Sequence, residues 1–166
     1  DGWFTEKTCG TEVTGETVFA SDSPTTYYAH WSAIKIFSAT VPVTLPLVVD
    51  ESGNVHTGAA EIINASTGAV VVSSVSISSK NGWKLVPFST NMAHEKVDAQ
   101  LLGFRINDAQ TTGKGDTETL TLTAPWTIAA NARLPIDYDA VVSAVSQPVT
   151  EQDVLIVLFV LEWDGE

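Results

Sequence analysis

The sequence predicts an all-β protein, the larger part of it a β-sandwich. Three observations carry that prediction. Apolar and polar residues alternate with a period of two along much of the chain, as on a pleated strand buried on one side. Val, Thr, Ser and Ala dominate the composition while Lys and Arg total only eight, a bias toward strands over helices. Turn-forming clusters separate the alternating runs and mark off roughly eight to ten strands. With 166 residues and 44% apolar content, the chain is long enough for one well-buried core and too apolar for wholesale disorder.

The elements follow in chain order. PVTLPLVVD at 42–50 is strand-like, and its two prolines suit an edge or a strand start. DESGN at 50–54 and NASTG at 64–68 each read as tight turns, closed near a glycine free to take positive φ. In VVSSVSIS at 71–78, the spacing sets Val71, Val75 and Ile77 on one face with serines opposite. TNMAHEKVD at 90–98 is the one stretch fit for a short helix, with a thin apolar face. NDAQTTGKGD at 107–116 is a polar loop, and TETLTLT at 117–123 alternates, with Leu120 and Leu122 inward and threonines outward. VLIVLFVLEW at 154–163 is apolar on both parities, the pattern expected of a central strand covered on both sides.

Charge narrows the function. A net charge of −12 lacks the basic footprint that phosphate backbones require, so nucleic acid is not an expected partner. Nor does it supply a polybasic anchor for an anionic membrane. The longest apolar run, at 154–161, is too short to span a bilayer as a helix, and no membrane insertion is expected. The single cysteine, Cys9, cannot form an internal disulfide and is expected to be a free surface thiol.

Residues 1–31, DGWFTEKTCGTEVTGETVFASDSPTTYYAHW, resemble the second half of the Listeria–Bacteroides repeat, the internalin B-repeat type. The matching pieces are Gly2-Trp3-Phe4-Thr5, Gly10-Thr11-Glu12-Val13, Val18 to Asp22, and Tyr28-Ala29-His30-Trp31. The resemblance implies a small β-grasp-like module of the kind strung along secreted bacterial surface proteins, with its first half upstream of residue 1. TTYYAHW at 25–31 is then the module's closing strand. Residues 1–32 are accordingly expected to be a truncated repeat and 33–166 the sandwich domain. Trp3, Phe4, Tyr28 and Trp31 are expected to pack against the following domain or a neighbouring copy. From Ala33 onward, VPVTLPLVVDESGNV, AEIINASTGAVVV and NGW are similar to all-β domains of secreted Gram-positive surface proteins, a likeness that implies no activity.

The residues that carry chemistry elsewhere are scattered. His30, His56 and His94 are far apart, and AHEK at 93–96 lacks the second histidine of a zinc-protease motif. TGKGD at 112–116 lacks the spacing of a phosphate loop and is expected to be a solvated hairpin loop. Asp137 and Asp139 alternate on a strand and are expected on a solvated face rather than as a glycosidase pair. Asp50, Ser52 and Asn54 offer oxygen ligands for Ca²⁺ but lack a downstream bidentate glutamate, so no metal is expected. Asn-Ala-Ser at 64–66 has the acceptor pattern for glycosylation and is expected to mark an exposed turn. Lys35, within the apolar AIKIF, is the candidate lysine for an isopeptide staple, a bond that needs a buried lysine beside an asparagine and an acid.

The expected protein is therefore not an enzyme and needs no cofactor. It is a segment of a secreted cell-surface or cell-wall protein, serving as stalk, spacer or adhesion module beside neighbouring domains of a longer chain. The alternative is a glycan- or host-protein-binding module, for which Trp126 and Trp83 are the candidate ligand-binding residues. Trp126 follows Pro125 between two apparent strands, where exposure is expected. A further reading is a fibre or pilus subunit whose apolar last strand is exchanged with a neighbour.

Overall fold

The computed structural model describes residues 2–18, 26–50 and 53–165. Part of the Val18 to Asp22 piece, Thr25 and the turn residues Glu51 and Ser52 lie outside them. The protein is all-β, with several antiparallel sheets and a single 3₁₀ turn among the described residues. Its strands are β1 (Gly2–Phe4), β2 (Glu12–Val13), β3 (Tyr28–His30), β4 (Ala39–Thr40), β5 (Leu47–Val49), β6 (Val55–Thr57), β7 (Ala60–Asn64) and β8 (Val70–Ser79). They continue with β9 (Lys84–Leu85), β10 (Leu101–Ile106), β11 (Ala109–Gln110), β12 (Thr117–Thr119), β13 (Trp126–Ile128), β14 (Arg133–Ile136), β15 (Tyr138–Val142) and β16 (Leu155–Trp163). The chain divides into two compact units, one ending at Lys35 and one starting at Ile36.

In the first unit, β1 is the middle strand of three, with Trp3 opposite Val13 of β2 and Ala29 of β3. Phe4 and His30 lie on the other face and stack with ring centroids 4.1 Å apart. The imidazole Nε2 donates to the Glu6 carbonyl at 2.9 Å, which fixes the ring against Phe4.

The second unit is a sandwich-like pair of layers around one core. One layer is built on β8, with β16 along one side and β12 and β13 along the other. The opposing layer contains β11-β10-β15 and β14-β7-β4, with the β5-β6 hairpin beside β15. Val72, Val75 and Ile77 of β8 meet Leu102, Phe104 and Ile106 of β10 in the shared core. Gly103 faces outward on β10, and a Cβ there would stand 2.9 Å from the Phe88 Cα, so only glycine admits that covering segment.

Several expectations require correction. Val71 does not share a face with Val75. Val160 of β16 lies opposite Ser74 while Leu161 lies opposite Val72, so Ser73 is an extra residue in β8. That β-bulge switches parity, and Val70 and Val72 before it face the same core as Val75 and Ile77 after it. The 64–68 segment is not an exposed turn. It carries the chain from β7 in one layer to β8 in the other, and Asn64 and Ser66 are buried within it. The short helix shrinks to a 3₁₀ turn at Met92–His94, capped by the Asn91 side chain, because none of its residues is buried to hold a longer one. Nor is β16 central: among the described residues it pairs with β8 alone, and its outer side chains are exposed.

Candidate functional site

Trp83 is a core residue, only 6% exposed, and its indole Nε1 lies 3.4 Å from the Gln152 side-chain oxygen. The turn that leads from β8 to β9 leaves its ring in the core, so it presents no platform to a ligand. Trp126 opens β13 and is half-buried against the core. Its Nε1–H donates to Asp108 Oδ1 at 2.7 Å, and Asp108 Oδ2 accepts from the Thr123 backbone N–H at 2.8 Å. The Thr123 N–H is the main cause holding the Asp108 carboxyl below the usual range, against the opposing pull of burial, with the indole adding to it. The donor that a glycan hydroxyl would engage is thus already committed, and Trp126 ties the loop before β13 to the β10–β11 turn. Lys35 is exposed, which removes the buried setting that an internal isopeptide staple requires.

The candidate carboxylates are likewise engaged. Asp137 and Asp139 do share a face, where Arg105 reaches both, at 3.3 Å and 3.9 Å. The Arg105 guanidinium also sits 5.7 Å from the centre of the Phe88 ring. Asp50 accepts from the Asn54 backbone N–H at 2.9 Å and from His56 Nε2 at 3.1 Å, which closes the β5-β6 hairpin. Among the described residues, no group of three His, Cys, Asp or Glu could hold a metal ion.

Glu118 is the buried acid that sequence reading missed. It shares the parity of Leu120 and Leu122, so the pleat turns it inward with them, opposite Ile77 of β8. Its Oε1 accepts from the Thr112 N–H at 2.9 Å and from the Thr112 hydroxyl at 2.6 Å, and its Oε2 from the Gly113 N–H at 3.1 Å. Burial pushes this carboxyl upward, but the Thr112 and Gly113 donors outweigh it and leave it below the ordinary value of 4.5. The TGKGD loop is therefore bound to the sheet from beneath by a carboxylate. Glu118 was legible in principle: in TETLTLT the glutamate stands two residues before an inward leucine.

Asn64 plays the same part at the crossing between layers. Its side-chain amide donates to the carbonyls of Gly68, Ile128 and Ala129 at 2.9 to 3.0 Å, while its oxygen accepts from the Ser66 N–H at 2.8 Å. Fully buried, it offers no nitrogen to a glycosyl group in the folded protein.

Two open depressions mark the surface of the second unit. One, of about 500 Å³, runs between the β5-β6 turn and the 3₁₀ turn, with Asp139 its single titratable lining group. The other, of about 560 Å³, is formed by Asn81 and residues 148–153. In the second, the Asn81 amide donates to the Asp153 carbonyl at 2.8 Å and so ties the β8–β9 turn to that loop. The most exposed tryptophans are instead in the first unit, Trp3 at 58% and Trp31 at 81%. Their positions were visible in the sequence, but their exposure was not, because a three-residue strand such as β1, or a residue just past the end of β3, does not say which face is covered. In comparison with known proteins, the chain matches no family model, no curated protein and no solved structure.

Proposed function

We propose that this chain is a non-catalytic segment of a secreted bacterial cell-surface protein, serving as a stalk, spacer or adhesion module. The observation that carries the proposal is where its polar side chains are spent. Glu118, Asn64, Asp108, Asp50 and Thr111 each hold a loop or a crossing against the sheets rather than converge on a cleft. That allocation suits a module whose task is to keep its shape, and the resemblance of residues 1–31 to surface-protein repeats supports the setting. Protease shaving of intact source cells tests it. Peptides from residues 36–166 are expected among those released, and recovery only after lysis would overturn the reading.

A second reading, a glycan- or host-protein-binding module, is supported by the exposure of Trp3 and Trp31. It moves the candidate platform from Trp83 and Trp126 to the first unit. Tryptophan fluorescence titrated with cell-wall and host glycans should then respond in the native chain and lose its response in W3A or W31A. An unchanged response in both variants would reject that platform.

A further inference from the structure

The edge strand β16 is nine residues long and has a β-strand partner on one side only, among the described residues. Of the usual devices against edge pairing it carries one charge, Glu162 near its end, and no proline, no lysine and no bulge of its own, since the extra residue Ser73 belongs to β8. Its outer face presents Ile156, Leu158 and Val160, exposed by 49%, 59% and 43%. Beside them on β8 stand Ser78, Ser76 and Ser74, and beyond those Thr117 and Thr119 of β12, joined to the serines by hydroxyl hydrogen bonds of 3.0 and 2.9 Å. The apolar stripe is thus one strand wide and lies at the border of a hydroxyl-covered sheet. A partner laid flat on this face would have to bury serines and threonines whose hydroxyls are open to solvent. A partner added edge-on covers the stripe alone.

We infer that β16 pairs antiparallel with β16 of a second copy of this chain, about a two-fold axis passing at Leu158. The identity of the partner follows from self-complementarity. With the axis at Leu158, the outer stripe matches itself completely: Leu158 meets Leu158, and each Ile156 meets Val160 of the other copy. The inner, half-buried residues match as well, Val157 with Phe159 and Leu155 with Leu161. An axis one pleat further on, at Val160, would set Leu158 opposite Glu162 and lose the match. The charges also agree with the Leu158 axis. Glu162 is the single charge within the strand, and the two copies of it stand about 26 Å apart along the ribbon, beyond a Debye length at physiological salt. The dimer pairs residues 155–161 of the two edges, and it closes, so no further copy adds at this edge.

Sedimentation velocity of the full chain, with and without L158K, tests the inference. The native chain is expected to dimerise, and L158K, which opposes two lysines on the axis, is expected to weaken the dimer by about 100-fold or more. Unchanged circular dichroism of L158K keeps that result separate from misfolding, because Leu158 lies outside the core. A second test needs no loss of function. In a C9S background, L158C should form a covalent dimer on mild oxidation, while I156C should cross-link efficiently only when mixed with V160C. A native chain that stays monomeric at concentrations on the order of 0.1 mM, a dimer indifferent to L158K, or I156C linking to itself more readily than L158C would each overturn the proposal.

Discussion

Strands β8 and β16 lie side by side, and the sequence describes them in reverse. β8 is half serine, yet it is the middle strand of its sheet, with Val70, Val72, Val75 and Ile77 at zero exposure. β16 is almost wholly apolar, yet it is an edge, and three of its apolar residues face solvent. Place in a sheet follows from what holds a strand on each side, and total hydrophobicity is a poor guide to it. β8 is held on both sides, and buried polar groups fasten its surroundings: Asn64 at the crossing that leads into it, Glu118 directly opposite Ile77. Among the described residues, β16 is held on one side.

The sharpest way to break this contrast is to delete Ser73. The bulge lets one strand put apolar residues of both parities into a single core. Without the extra residue, either Val70 and Val72 or Val75 and Ile77 must turn outward. The expected loss exceeds about 4 kcal/mol, enough to unfold a domain of ordinary stability. Urea denaturation followed by tryptophan fluorescence checks it, and a deletion variant with a near-native midpoint would remove the bulge from the account.

Next in size is Asn64→Ala, which leaves the Ile128 and Ala129 carbonyls and the Ser66 N–H without their side-chain partner at the seam between β7, β8 and β13. A cost of about 2–4 kcal/mol is expected from the same denaturation measurement, because buried groups that lose a partner also lose water. Ser76→Ala, on the solvated face of the same β8, should cost no more than about 0.5 kcal/mol. Similar costs for the two would mean that Asn64 is not holding the seam.

What could be read from the sequence divides along the same line. Period-two patterning identified an all-β chain and placed Leu120 inside, because the pleat is a local rule. The bulge at Ser73 was illegible, since an extra residue declares itself only against the partner residues Val160 and Leu161, far along the chain. The exposure of β16 was illegible for the same reason: VLIVLFVLEW states that both faces are apolar, and only the assembled sheet shows that one is left uncovered. Asn64 was mistaken for a surface turn because Asn-Ala-Ser-Thr-Gly is turn-like in composition wherever it lies. Trp83 and Trp126 were chosen as platforms by residue type, whereas Gln152 and Asp108, which occupy their indole nitrogens, are 69 and 18 residues away. Local patterns gave the strands; the candidate site depended on contacts across the chain.

Glu118 sharpens the comparison through pH. Folding holds this carboxyl below its ordinary 4.5, so at low pH the unfolded chain takes up the proton first. Its contribution is therefore complete above 4.5 and is lost as the pH falls through the folded-state value. At neutral pH, Glu118→Gln removes the charge that Thr112 and Gly113 donate to, at an expected cost of about 1–3 kcal/mol. The informative quantity is the difference between the native chain and the variant as acid is added. It should shrink below pH 4.5, and a difference constant from neutral to strongly acidic pH would assign the cost to packing instead.

The smallest expected effect carries the comparison furthest. Leu158→Ala removes as much side chain as a typical core truncation, but from a residue 59% exposed at the open edge. At dilutions where the protein is monomeric, its midpoint should move by less than about 0.5 kcal/mol. Ile77→Ala, on the neighbouring strand and buried completely, should cost about 2–4 kcal/mol, from lost transfer energy and the cavity left behind. Raising the concentration then separates the two. A dimer through β16 would make Leu158→Ala costly in proportion to the population of dimer it destroys, while the cost of Ile77→Ala would stay where it was. The same leucine would thus be inert in the isolated chain and important in the assembled one, as expected of a residue whose covering surface belongs to another copy.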